Sequence, residues 1–334
     1  MKALRTLTLL VLLLAAAAAG AAAWWLNRPL ALAAESVEVS IEPGTPPRDI
    51  AQAWVQAGVQ APAMLLYEWF RWSGQSRKIR AGSYEIGAGT TPISLLNKMV
   101  RGDETLSTVR LIEGWTFRQF RAELAKADSL KPSTAALSDE EVMAAVGAPG
   151  VAPEGRFHPD TYAYSKGSSD VAVLKRAYHA MQKRIDAVWQ ERAADTPLRS
   201  ADDALVLASI VEKETGAPAD RGRVAGVFVN RLRIGMPLQT DPTVIYGLGA
   251  AFDGNLRKRD LLADTPWNTY TRNGLPPTPI AMPGKAALLA AVRPDPTRAL
   301  YFVARGDGSS EFSETLADHN RAVTRYQRGG QRSK

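Results

Sequence analysis

The stretch DDALVLASIVEKETG, Asp202–Gly216, decides how the rest of this 334-residue chain is read. Ser200 ahead of it is an N-cap residue with Asp203 in the capping-box position, and Gly216 is a C′ stop, so the spacing predicts one helix between them. At about 100° per residue, Val206, Ile210, Leu207, Val211 and Ala208 fill one broad apolar arc, while Ser209, Glu212 and Lys213 share the opposite, solvent side. Glu214 falls inside the apolar arc, between Ile210 and Leu207 in projection. A carboxyl placed there loses hydration, and the negative end of the helix dipole acts in the same direction, so its pKa is expected to rise and leave a proton available near neutrality. A general acid in glycosidic-bond cleavage needs that property. The plainer alternative is a frayed last turn that lets Glu214 bend out to water beside an arginine.

Flanking segments tilt the reading toward a sugar site. Helical patterning extends over Asp170–Ala194 on one side and Arg221–Arg233 on the other. Then Leu238–Gly247 brings together Gln239, Thr240, Asp241 and Tyr246, and Trp267–Tyr270 adds Asn268 and Tyr270. Sugar sites combine hydroxyl-matching polar groups with aromatic faces, and these segments supply both. Each also has a bland role: Tyr246 as core filler, Trp267 as packing, Pro276-Pro277 as a rigid turn. Between Arg233 and about Arg305 the chain reads as proline-rich loops, which after a helical core tend to carry ligand contacts.

Upstream, Ser36–Ile41 alternates polar and apolar residues, as a half-buried strand does, and Glu42–Pro47 breaks it. Helical periods follow through Ile50, Trp54, Leu65 and Phe70. A second strand, Ile79–Ile86, and a helix around Ile93–Val100 complete a small α+β unit. A further strand, Thr108–Ile112, runs into Glu113–Thr116 and a helix from Phe117 to Lys126. Ser129–Gly155 is rich in Ala, Ser, Pro and Gly, with an acidic helix start at Ser138.

At the amino end, Thr6–Leu26 is an uncharged apolar run of about the ~20 residues a helix needs to cross a bilayer. Lys2 and Arg5 precede it, favouring a cytoplasmic amino terminus, and Trp24 and Trp25 stand where indoles prefer the interface. Ala31-Leu32-Ala33 offers a signal-peptidase site as the competing reading. Either way the chain beyond about residue 30 is exported. There are 41 Lys and Arg against 34 Asp and Glu, a formal charge of +7, and no cysteine, which excludes disulfides, thiolate metal sites and cysteine nucleophiles. Eight of the basic residues, and no acidic ones, lie in the first 28 and last 14 positions, so the middle is near neutral. That balance, with no basic stretch interleaved with aromatics, argues against nucleic acid. His158, His179 and His319 are scattered and give no metal-ligand pattern.

Taken in order, Ala81–Tyr84, Glu113–Thr116, Glu154-Gly155 with Pro159–Tyr162, Ala208–Thr215, Val227–Leu232, Leu238–Gly247, Asn268–Tyr270, Gly274–Pro277, Tyr301–Ala304 and His319-Asn320 resemble the YceG-like endolytic murein transglycosylases. These are membrane-anchored enzymes that cut nascent peptidoglycan glycan strands. The resemblance implies an α+β fold with a single N-terminal transmembrane helix, a small LysM-like α+β module, and a mixed α/β catalytic domain with a lysozyme-like helical core. The boundaries expected are 1–34 for the cytoplasmic end, anchor and linker, 35–105 for the LysM-like module, 106–320 for the catalytic domain and 321–334 for a basic flexible tail.

Carried over by motif, the catalytic residue falls on Glu214, in agreement with the helical wheel. Gln239, Thr240, Asp241, Tyr246, Asn268 and Tyr270 are the candidates for substrate positioning. No metal and no cofactor is expected. The implied location is the inner membrane, with the catalytic domain in the periplasm, peptidoglycan strands as substrate and wall synthases as partners. Glu214 would cleave between N-acetylmuramic acid and N-acetylglucosamine and leave a 1,6-anhydro end, terminating strand elongation. The rival readings are a hydrolytic muramidase with Asp241 activating water, and a non-catalytic wall-binding anchor. Two positions depart from the family pattern: His158, where an aromatic is commoner, and Met282 before Pro283-Gly284.

Overall fold

A computed structural model of the chain describes residues 2–328. In chain order its elements are α1 (Lys2–Asn27), β1 (Ser36–Ile41), α2 (Pro47–Ala57), α3 (Ala63–Trp72), β2 (Gly82–Gly87), α4 (Pro92–Arg101), β3 (Leu106–Arg110), α5 (Phe117–Lys126), α6 (Asp139–Val146), β4 (Thr161–Ser165), α7 (Asp170–Gln190), α8 (Ala201–Glu214), α9 (Pro218–Arg233), α10 (Asp241–Leu248), α11 (Lys258–Leu262), α12 (Lys285–Val292), β5 (Tyr301–Ala304), β6 (Ser310–Ser313) and α13 (Leu316–Val323). Three two-stranded sheets pair β1 with β2, β3 with β4 and β5 with β6.

The chain divides into two compact units. The first holds residues up to Thr108 together with Asp128–Lys131 and Ala163–Ser168, and the second the rest. In the first, β1 and β2 run antiparallel with Val39 opposite Tyr84. Val37, Val39 and Ile41 point inward, as the alternation predicts. They meet Trp54, Phe70, Leu96 and Met99 from α2, α3 and α4 in a single core. Arg5–Asn27 of α1 is long and apolar enough to cross a membrane, with a mean hydropathy of 2.2, and none of it is buried in protein. Length and composition fit a membrane anchor and a signal sequence equally.

The second unit is organised around α8. Ser200 caps it, its Oγ accepting from Asp203 N–H at 3.1 Å. The box does not close, because the Asp203 carboxylate accepts instead from Arg199 N–H at 2.9 Å. Nor does Gly216 provide a left-handed stop: the helix ends where Thr215 turns extended, at φ −141° and ψ 127°. The Thr215 hydroxyl accepts from Ala217 N–H at 3.0 Å, one residue before Pro218 opens α9. Every residue from Ala204 to Val211 is buried, because α7, α9 and α12 enclose the helix.

Ser209, expected on a solvent side, is therefore fully buried. Its Oγ donates to Val206 O at 2.7 Å and accepts from Ile280 N–H at 3.0 Å. Glu212 is also drawn in, accepting from Gly284 N–H at 2.9 Å, and burial raises its pKa. A wheel assumes one apolar face; a helix surrounded on all sides has none to distinguish.

The region read as loops, to about Arg305, is more structured than expected, carrying α10, α11, α12 and β5. α12, KAALLAAV, is almost wholly apolar and has no polar face to generate a period. Residues 321–328, expected in the tail, continue α13 and a π-helical turn, Thr324–Arg328; 329–334 lie outside the described residues.

Gly155 illustrates how closely the second unit is packed. Its φ is +78°, and a Cβ there would stand 2.5 Å from the ring of Pro279. Gly155→Ala is expected to destabilise by about 2 kcal/mol, from left-handed backbone strain plus overpacking, read as a lower urea midpoint. An unchanged midpoint would mean that the ring yields freely.

Candidate active site

Glu214, the last residue of α8, opens onto a cleft of about 700 Å³ in the second unit, shared with Gln239, Asp241, Tyr270 and Arg231. Burial is the main cause that lifts the Glu214 carboxyl above the usual carboxylate range. The nearby Asp241 charge adds to it, while the Thr240 hydroxyl and the Arg231 guanidinium oppose it. The Thr240 hydroxyl donates to Glu214 Oε1. The carboxyl is held by the fold rather than frayed into water.

Thr240 is in turn fixed by buried threonines. Its N–H donates to Thr269 Oγ1 at 3.1 Å, its carbonyl accepts from Thr243 Oγ1 at 2.7 Å, and the Thr243 and Thr269 hydroxyls lie 2.9 Å apart. Gln239 just before it takes a left-handed φ of +49°, anchored by its N–H to Thr269 O at 3.1 Å. Non-glycine residues at such φ are strained, and that strain concentrates at binding sites. The Tyr270 phenol donates to Asp241 Oδ1 at 2.6 Å, and burial, followed by this hydrogen bond, raises its pKa and keeps it protonated.

Of the residues singled out in the sequence, Glu214, Gln239, Asp241 and Tyr270 line one cleft, and Thr240 grips the carboxyl. Asn268 and Tyr246 lie elsewhere. Asn268 is fully buried; its amide donates to Ala263 O at 2.6 Å and Leu261 O at 3.1 Å, and its Oδ1 accepts from Tyr270 N–H at 2.9 Å. It shapes the loop that presents Tyr270. Tyr246 packs edge-on against Trp267 with centroids 5.4 Å apart, and its hydroxyl donates to Glu154 Oε2 at 3.2 Å.

Among the cleft residues not assigned a role from the sequence are Arg231, Tyr301 and His319. Arg231 is only 8% exposed and donates through Nε to Leu300 O at 2.7 Å and through Nη1 to Leu238 O at 2.8 Å, tying the approach to Gln239 onto the start of β5. Its guanidinium lies 5.2 Å from the Tyr301 ring, and His319 stacks on that ring at 5.2 Å and 24°. Burial, then the Arg231 charge, lowers the His319 pKa and favours the neutral imidazole. Arg231 carried the same sequence signal as Glu214, a charge on an apolar face: it stands seven residues after Val224 and three after Phe228, both buried. Among the described residues no cluster of three His, Asp or Glu side chains could hold a metal ion.

Comparison with known proteins yields a match to the YceG-like family over residues 39–325. The chain belongs to the YceG-like family. It is 38% identical over 173 residues to the endolytic murein transglycosylase of Bacillus subtilis, an alignment covering 52% of this chain and 48% of that protein. It is 24% identical over 323 residues to the protein of the same name from Streptococcus pneumoniae strain D39, covering 87% of this chain and 58% of the other. The alignments thus span about half the length of these curated relatives. A 2.6 Å crystal structure of a YceG-like protein from Listeria monocytogenes superposes with a TM-score of 0.53 at 29% identity, covering 86% of this chain and 98% of that one.

The two departures from the YceG-like pattern both fall on buried positions. Met282 is fully buried, with its N–H donating to Trp115 O at 2.8 Å and its carbonyl accepting from Gly114 N–H at 2.9 Å. His158 is 7% exposed, and its carbonyl accepts from the Tyr162 hydroxyl at 2.7 Å. Neither side chain lines the cleft of Glu214.

Proposed function

We propose that this YceG-like protein is an endolytic peptidoglycan transglycosylase, and that Glu214 acts first as its acid and then as its base. Glu214 gives its proton to the glycosidic oxygen as the bond from C1 of N-acetylmuramic acid breaks. The C6 hydroxyl of the same sugar attacks C1, its proton passes to the Glu214 carboxylate, and a 1,6-anhydro ring closes. No water is consumed and Glu214 ends protonated, so one carboxyl serves both steps where most glycosidases use two. The observation that carries this reading is a half-buried carboxyl, raised in pKa by desolvation, on the wall of an open cleft lined by polar and apolar side chains alike. The Thr240 hydroxyl and the Arg231 charge favour the ionised form that the second step passes through. Gln239, Asp241 and Tyr270 are placed to orient the sugars.

Asp241 lines the same cleft and would be the second carboxylate of a hydrolase. Mass spectrometry of products released from intact glycan strands separates the two. Anhydro ends, lighter by one water, are expected; reducing ends would assign a muramidase.

We further propose that α1 is an uncleaved anchor in the inner membrane, that the catalytic unit is periplasmic, and that cutting nascent strands ends their elongation beside the wall synthases. The folding of the segment after α1 favours retention. Leu30 is 8% exposed with its N–H donating to Thr90 O at 2.8 Å, the Ala31 carbonyl accepts from Gln60 N–H at 2.8 Å, and Leu32 bridges to Val59. Cleavage after Ala33 would strip these residues from the core of the first unit. That unit, with its order β1-α2-α3-β2, is assigned as a LysM-like glycan-binding module, and the helices around α8 as a lysozyme-like core.

A further inference from the structure

We propose that α3 is a second membrane contact: together with the last turns of α1 it forms a tryptophan-rimmed apolar surface that seats the first unit in the headgroup–acyl boundary of a phospholipid bilayer. This rests on α1 spanning a membrane.

The surface is a groove of about 570 Å³ whose walls include Trp24 and Trp25 from α1 and Leu65, Trp69 and Trp72 from α3, with Glu68 as its one charged lining residue. Its apolar residues are open to solvent: Trp72 is 78% exposed, Trp24 62% and Leu65 47%. An apolar patch of this kind on a folded unit marks an interaction site.

Its level relative to the bilayer follows from α1. At 1.5 Å per residue, Ala21 stands roughly 9 Å before the end of that helix at Asn27. If α1 spans, its last two turns occupy the outer boundary of the bilayer, and the α3 side chains lining the same groove share that depth. No slack linker separates the two, since only Arg28 and Pro29 lie between Asn27 and the buried Leu30. Trp25 itself packs against the core of the first unit.

The chemistry of the rim suits lipid rather than a folded partner. Trp69 Nε1 donates to Pro92 O at 3.0 Å and Trp72 Nε1 to Glu68 Oε2 at 3.0 Å, so both indole N–H groups are satisfied while their rings line the groove. Indoles with a satisfied polar end and an exposed ring favour the membrane interface. Arg28 lies 4.9 Å over the Trp24 ring, placing a cation beside that indole at the level of lipid phosphates; Arg71 lies 5.7 Å over the Trp72 ring and is also paired with Glu68 at 3.4 Å. Indole and guanidinium together match the two layers of that boundary.

The test uses the full chain reconstituted in vesicles of phosphatidylethanolamine and phosphatidylglycerol whose acyl chains carry bromine either near the headgroup or near the chain end. Tryptophan emission is compared for the parent, Trp72→Phe, Trp24→Phe and, as a control in the second unit, Trp189→Phe. Headgroup-proximal bromine is expected to quench Trp72, so the quenched component falls on Trp72→Phe by an amount comparable with Trp24→Phe, and does not fall on Trp189→Phe. If Trp24→Phe lowers it and Trp72→Phe does not, the proposal is overturned while the anchor stands. If neither does, the anchor reading itself fails. Trp72 shielded from both lipid bromine and aqueous acrylamide would show that protein covers the face, a second copy or a partner's membrane helix, and would also overturn the proposal.

Discussion

Glu214→Gln is expected to slow product release from glycan strands by about 10³-fold or more. Loss of a general acid or base costs roughly 10²–10⁴-fold, and here one carboxyl is assigned both roles, so the effect belongs at the upper end. Gln keeps the size of the side chain and can still accept from the Thr240 hydroxyl, so the fold should persist. Because the carboxyl it replaces is one that burial already disfavours in its charged form, the thermal midpoint should stay level or rise. The measurement is mass spectrometry of released fragments alongside a thermal melt of each protein. Equal rates for variant and parent would remove Glu214 from the chemistry and leave a wall-binding protein as the reading.

What made Glu214 legible was a local conflict, a charge on an apolar arc, and that kind of signal survives without tertiary knowledge. Arg231 carried the same conflict on α9. Its role depends on Leu300 and Leu238, residues that only the fold brings to it. Thr240 was picked out for its hydroxyl, and its grip on Glu214 could not be read from a position 26 residues away. Asn268 shows the opposite failure. A polar residue in a polar loop looks available for ligand, yet its amide is fully engaged by the carbonyls it folds around. α12 was invisible because periodicity reports the contrast between two environments, and a helix with five of its eight residues buried and Lys285 as its one polar residue shows too little of it. For the same reason the wheel placed Ser209 on the wrong side of α8.

Glu154→Gln tests a carboxyl more deeply buried than that of Glu214. Glu154 is 7% exposed; its Oε1 accepts from Phe117 N–H at 3.0 Å and its Oε2 from the Tyr246 hydroxyl at 3.2 Å. Burial pushes its pKa up to about 7 from an ordinary 4.5, against those hydrogen bonds, which favour the charged form. With the folded pKa above the unfolded one, the native state binds more protons between these values. The stabilising contribution is therefore complete below about pH 4.5 and is lost as pH rises through 7. A separation of that size corresponds to about 3 kcal/mol. Gln cannot ionise but keeps an oxygen for Phe117 and an amide for the tyrosine, so the variant should lose this part of the pH dependence. Urea midpoints of both proteins, taken on either side of this window, give a double difference. Glu212 and Glu214, whose pKa values are also raised by burial, titrate in both proteins and cancel from it. Parent stability is expected to fall more steeply than that of the variant, by about 3 kcal/mol across the window. Equal slopes would mean that Glu154 titrates alike in the folded and unfolded chains, with the Phe117 and Tyr246 hydrogen bonds offsetting its burial.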